Sequence, residues 1–145
     1  NPFTEELFYG AKGEGAYLNG APIQVSNQPE FKDAVVSFGS SPYEKNRAKE
    51  LFPIFYNIFM NCADFRRTGS AALDICYAAA GRTALFFEMV LEPWDYAAAS
   101  IIAAEAGGLC TQLDGSPITL EKGCSILAGN PAARADFFAL AAQRA

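Results

Sequence analysis

The stretch Glu88-Met89-Val90-Leu91-Glu92-Pro93-Trp94-Asp95 constrains this chain more than any other. It joins a hydrophobic run at 83–87, which reads as a strand, to an alanine-rich segment at 96–106, which reads as a helix. Pro93 keeps Glu92 out of the helical region, and Asp95 then falls where a helix begins. One short loop is therefore expected to carry three carboxylates, Glu88, Glu92 and Asp95. Carboxylates fixed at a strand-to-helix junction suit a hard cation or a polyol. By spacing alone Asp95 reads first as an N-cap that accepts from the amide of Ala97 or Ala98. A capping carboxylate keeps a second oxygen for a metal, so the two roles are compatible. Trp94 reads either as part of that site or as an apolar ring closing a core edge.

The flanking sequence extends the alternation. Asn19-Gly20 between apolar runs marks a hairpin, because both central positions of such a turn need positive φ. Gly10, Gly13 and Gly15 read as turn and bulge residues; they lack the lysine and hydroxyl of a phosphate loop. Residues 27–32 form a connector, 34–38 a buried strand, and 44–59 a helix with Leu51, Phe52, Phe55, Ile58 and Phe59 on one face, in conflict with Pro53. A short strand at 62–65 leads through Arg66-Arg67-Thr68-Gly69-Ser70 into a helix at 71–80, whose apolar stripe would be Ala72, Leu73, Cys76, Tyr77 and Ala80. Thr68 or Ser70 would cap it and Gly81 would stop it. Small residues there let a ligand approach, and the free first amides of the helix suit a phosphate or a sugar hydroxyl. Arg66 and Arg67 would meet a subunit neighbour, an anionic substrate or nothing.

Glu105 sits at the unfavourable end of the 96–106 helix and is expected to be tied to an arginine. Gly107-Gly108 ends that helix. Strands at 109–113 and 125–129, a turn at Asp114-Gly115, a short element at 116–120, and a closing helix started by Asn130-Pro131 complete the order. Phe137, Phe138 and Leu140 would form the buried face of that last helix. This order defines an α/β class with a layered mixed sheet flanked by helices. Residues 1–26 would be a hairpin from the end of a preceding domain, and 27–145 the C-terminal α/β domain.

Composition removes several functions. A chain of 145 residues that is 51% hydrophobic can bury a core, and its net charge of -5 with no basic run argues against nucleic acid. No 18-residue apolar stretch suggests a membrane span, and no signal peptide is visible. The four cysteines are widely spaced, so no structural zinc site is expected; Cys76 and Cys110 read as reduced core residues of a cytoplasmic protein. The chain has no histidine, which removes the usual base for a serine or cysteine nucleophile. A hydrolase here would use metal-bound water and carboxylates.

Three segments together resemble the inositol monophosphatase family of metal-dependent, lithium-sensitive sugar phosphatases. They are Lys12-Gly13-Glu14-Gly15-Ala16-Tyr17-Leu18-Asn19-Gly20, Arg66-Arg67-Thr68-Gly69-Ser70-Ala71-Ala72, and Glu88 through Trp94-Asp95 to Glu105-Ala106-Gly107-Gly108. The resemblance implies hydrolysis of a small phosphorylated sugar or polyol by a metal-activated water, with Mg2+ as cofactor. It implies that Asp95 is catalytic and helps hold the second magnesium, that Glu88 binds ring hydroxyls, and that Gly69, Ser70 and Ala71 line the polyol and phosphate pocket. It also implies a homodimer, with Arg66 and Arg67 as interface or anion contacts. The family's upstream glutamate and its Asp-Pro-Ile-Asp-Gly-Thr-like signature are absent from this sequence. The chain is therefore similar to the family's C-terminal half, and alone it should be weakly active or inactive. The start at Asn1-Pro2 reads as a processed product, an excised domain or the C-terminal part of something longer. The alternatives are a noncatalytic sugar-phosphate-binding or regulatory domain, and a phosphatase for fructose bisphosphate or adenosine bisphosphate.

Overall fold

The computed structural model describes residues 1–27 and 30–143. Part of the expected connector at 27–32 lies outside them. The elements are β1 (Phe8–Ala11), β2 (Gly15–Leu18), β3 (Ala21–Pro22), β4 (Val35–Phe38), α1 (Ala48–Phe59), β5 (Asp64–Arg66), α2 (Ala71–Ala79), β6 (Leu85–Leu91), α3 (Pro93–Glu105), β7 (Leu109–Thr111), β8 (Cys124–Gly129) and α4 (Pro131–Ala141).

β1, β2 and β3 form a small antiparallel sheet, and the larger sheet has the order β5-β4-β6-β8-β7. β4 runs parallel to β5 and β6, whereas β8 is antiparallel to β6 and β7, so the sheet is mixed as the sequence implies. Every residue of β6 except Val90 is buried, and its alternation divides the core in two. Phe86 faces a cluster with Ile75, Ala79, Ala99, Ile102 and Ile126. Leu85, Phe87 and Met89 face the other, with Leu51, Ile58, Leu127 and Phe137. Helices α2 and α3 thus cover one face, and α1 and α4 the other. The small sheet lies beyond α3, with Ala16 joining the first cluster.

Several local signals act as their chemistry dictates. Asn19 and Gly20 take φ values of 49° and 87°, which closes the β2–β3 hairpin. The amide of Arg82 bonds to Tyr77 O and that of Gly81 to Ala78 O, a Schellman ending with Gly81 at φ 71°. Asn130 Oδ1 accepts the Ala133 amide at 2.7 Å and caps α4 ahead of Pro131.

Other expectations are corrected. The strand expected at 83–87 continues to Leu91, so Glu88 lies in β6 rather than in a loop, just before a register shift between Glu88 and Leu91. The bulge lets the strand stay paired while its end turns toward α3. Helix α1 runs through Pro53; the carbonyl this leaves unbonded belongs to Lys49, an exposed residue that water can serve. Its inward face is Leu51, Ile54, Phe55 and Ile58, and Phe52 and Phe59 turn outward. The apolar arc of this helix is wider than its contact with the sheet. In α2 the buried set is Asp74, Ile75, Cys76, Ala78 and Ala79 rather than the expected stripe, because the helix is enclosed by both the sheet and α3. Residues 116–120 form no helix or strand. Phe137 is fully buried, while Phe138 and Leu140 pack at the edge of that core. No helix among the described residues is long and apolar enough to cross a membrane.

Candidate functional site

A cavity of about 670 Å³ opens where the C-terminal end of β6 meets the starts of α2 and α3. Arg67, Gly69, Ser70, Ala71, Glu88 and Asp95 all line it, as do Gly39, Ser41, Asp74, Glu92 and Trp94. The fold therefore brings together every expected site residue but one. Arg66 turns away: its guanidinium pairs with Asp64 and donates to Phe65 O at 2.7 Å.

Glu88 is held most tightly. Its carboxylate is buried and accepts the Ser41 amide at 2.8 Å and the Ser41 hydroxyl at 3.3 Å, both on Oε1. Ser41 Oγ in turn accepts the Val90 amide at 3.1 Å, so one serine ties the carboxylate to its own strand. Ser41 adopts φ 43°, a left-handed conformation uncommon for a side chain other than glycine and one that gathers at functional sites. Gly39 leaves the space that the carboxylate fills: a Cβ there would lie 1.9 Å from Glu88 Oε2. Burial pushes the Glu88 pKa up, opposed by the Ser41 bonds and the charge of Arg67, while Asp95 adds to the rise.

Asp95 is not the N-cap. Pro93 takes the first helical position, so Glu92 is the cap and Asp95 stands third. The Glu92 amide donates to Asp95 Oδ2 at 3.1 Å, the returning arm of a capping box. Asp95 is half-buried and faces the cavity. Trp94 is 79% exposed, which rules out the core-edge reading. At the start of α2, Ser70 Oγ accepts the Leu73 amide at 3.4 Å, and Thr68 Oγ1 accepts the Ser70 amide at 3.4 Å.

Asp74 is the residue that sequence reasoning missed. It is buried in the first turn of α2 and lines the cavity, and among the described residues its Oδ1 has no hydrogen-bond partner. Burial raises its pKa, opposed by the Thr68 hydroxyl and amide and by Arg67. The available signal was a lone acid inside an otherwise apolar helix. Ser41 and Gly39 carried no such signal, since only the tertiary fold brings them to Glu88.

Among the described residues Glu105 has no arginine partner. Its two oxygens accept the Gly13 amide at 2.9 Å and the Gly15 amide at 3.0 Å, so the glycine turn cradles an anion from its own chain. Among the described residues no group of three His, Cys, Asp or Glu side chains is placed to hold a metal ion. Asp95 fits as a single oxygen ligand, with Oδ2 already committed to the Glu92 amide.

A mixed sheet between two helical layers, with a carboxylate-rich cavity at a strand-to-helix junction, is the architecture expected for sugar-phosphate hydrolases of the kind the motifs resemble. The profile of the inositol monophosphatase family matches residues 1–145, and the chain belongs to that family. The Nus factor SuhB of Vibrio cholerae is 42% identical over 131 residues, which are 90% of this chain and 49% of that protein. The crystal structure of the extragenic suppressor protein SuhB from Bartonella henselae superposes with a TM-score of 0.93 at 32% identity, covering 100% of this chain and 55% of that one. SaIMPase-II, from Staphylococcus aureus, with inositol monophosphate bound, gives 0.83 at 29% identity over 94% of this chain and 52% of that one. The chain spans about half the length of the curated relatives it matches.

Proposed function

We propose that this chain is the C-terminal half of a magnesium-dependent phosphatase that hydrolyses a small phosphate monoester such as inositol monophosphate. The carrying observation is the convergence of Glu88, Asp95, Arg67 and the start of α2 on one cavity. Glu88 accepts hydroxyls of the sugar or polyol, its carboxylate fixed by Ser41. The α2 start at Gly69, Ser70 and Ala71 receives the phosphate through backbone amides, and Arg67 adds a positive charge to the wall. Asp95 would hold one Mg2+, which supplies charge neutralisation and an activated water when bound. The remaining metal ligands are assigned to an upstream acidic segment, with residues 1–26 as the end of the domain that carries it. The whole protein is further proposed to be cytoplasmic and homodimeric.

The test is turnover of inositol monophosphate with Mg2+. The 145-residue chain alone should release phosphate slowly or not at all, and a longer protein with the acidic segment should be active. Vigorous turnover by the chain alone overturns the assignment of the missing ligands. A noncatalytic regulatory reading has its own support: the V. cholerae relative is named a Nus factor rather than a phosphatase. Ligand binding without phosphate release by the longer protein would favour it. SaIMPase-II has also been crystallised with 2'AMP, so nucleotide monophosphates belong among the substrates assayed.

A further inference from the structure

Asp74 has no role in the reading above. It stands one turn into α2, its amide bonded to Ser70 O at 2.9 Å, and it is only 2% exposed. Thr68 holds the Asp74 pKa down against burial, yet among the described residues Oδ1 has no hydrogen-bond partner. Buried acceptors are nearly always paired, and an unpaired one beside a ligand-sized cavity is a position that a bound donor would complete. The neighbouring Ala71 and Ala72 are small enough for a ligand to come close to the helix.

We infer that Asp74 is a further ligand-reading carboxylate, whose Oδ1 accepts a hydrogen bond from a hydroxyl of the polyol bound in this cavity. The inference rests on the phosphatase reading and deepens it. Asp74, Glu88 and Arg67 line the same cavity, so the two carboxylates share its wall. Two acceptor-only groups there require a ligand with two hydroxyl donors, and they repel a second phosphate. The site is thereby selective for a polyol monophosphate over a bisphosphate in the same orientation.

The experiment is calorimetric titration of the longer protein that carries the acidic segment, in Mg2+ buffer, with inositol monophosphate, its single-deoxy analogues, fructose bisphosphate and inorganic phosphate. Asp74→Asn keeps the shape of the side chain and can still accept from Thr68, but removes the charged acceptor. It should weaken inositol monophosphate binding by on the order of 10-fold or more, the range for a hydrogen bond to a charged group. It should leave inorganic phosphate, and the one deoxy analogue lacking the hydroxyl in question, unaffected. Unchanged affinity, or an equal loss for every ligand, overturns the inference. The deoxy series on the unsubstituted longer protein decides the matter if the variant fails to fold. Two different hydroxyl deletions should each weaken binding, one through Glu88 and one through Asp74, and a single sensitive hydroxyl overturns the inference. Absence of binding to any sugar phosphate by the longer protein would remove the phosphatase reading as well, an outcome distinct from binding that ignores Asp74.

Discussion

At the scale of residues, Gly39, just past the end of β4, and Glu88 on β6 occupy adjoining space, and each fixes what the other can be. An alanine at Gly39 would place its Cβ 2.0 Å from Glu88 Cδ. A free surface glutamate could swing away, but this one is buried and clamped by Ser41. Gly39→Ala should therefore destabilise the chain by about 1–3 kcal/mol, the usual cost of overpacking, and weaken ligand binding by displacing the carboxylate. Urea midpoints and a ligand titration check both, and a stable variant with unchanged binding would remove the steric argument. Glu88 and Asp95 were legible in the sequence because acids beside a proline break and a small-residue helix are rare locally. Gly39, Ser41 and Asp74 were not, because their partners or burial depend on strand pairing and helix packing that no local window contains.

At the scale of elements, α3 is bound at both ends by carboxylates. Asp95 closes its capping box, and Glu105 holds the glycine turn of the small sheet. Glu105 has a lowered pKa, chiefly from the Gly13 and Gly15 amides. A depressed acid contributes its contact above the unfolded pKa and loses it as pH falls through the folded value. The Gly13 and Gly15 amide resonances should therefore titrate together with a midpoint below 4.5, and Glu105→Gln should abolish the titration. A midpoint at or above that value would contradict the clamp. The sequence marked both ends of this helix, through Pro93 and Gly107-Gly108, yet misassigned both acids. Pro93 moved the cap back to Glu92, and a turn of backbone amides did the work expected of an arginine. The faces of α1 and α2 were misjudged for a related reason: a helical stripe can be read against one neighbour, and these helices are either richer in apolar residues than their contact or enclosed on two sides.

At the scale of the whole molecule, a net charge of -5 is compounded at the cavity, where Glu44, Asp74, Glu88, Glu92 and Asp95 outnumber Arg67. Such a wall repels phosphate unless cations intervene. Affinity for inositol monophosphate should fall at least several-fold when Mg2+ is replaced by a chelator, a loss measurable by calorimetry; indifference to the chelator would count against the metal role of Asp95. The layered mixed sheet was legible because hydrophobic periods alternate along the chain, while the division of the core by β6 required knowing that β8 returns beside it. That return has a consequence in time. Glu88 pairs opposite Ile126 on β8, so the strand bearing the central carboxylate, already flanked by β4, gains its second neighbour only after α3 and β7 have been made. Pairings between such distant segments form slowly, because a long loop must close first. During synthesis, at about 5–20 residues per second, the start of α2 and the acids of β6 emerge seconds before that partner strand. The sheet is thus closed around β6 only after the cavity-lining residues have all been made, and a nascent chain stalled before β8 would leave one edge of β6, its most apolar strand, unpaired.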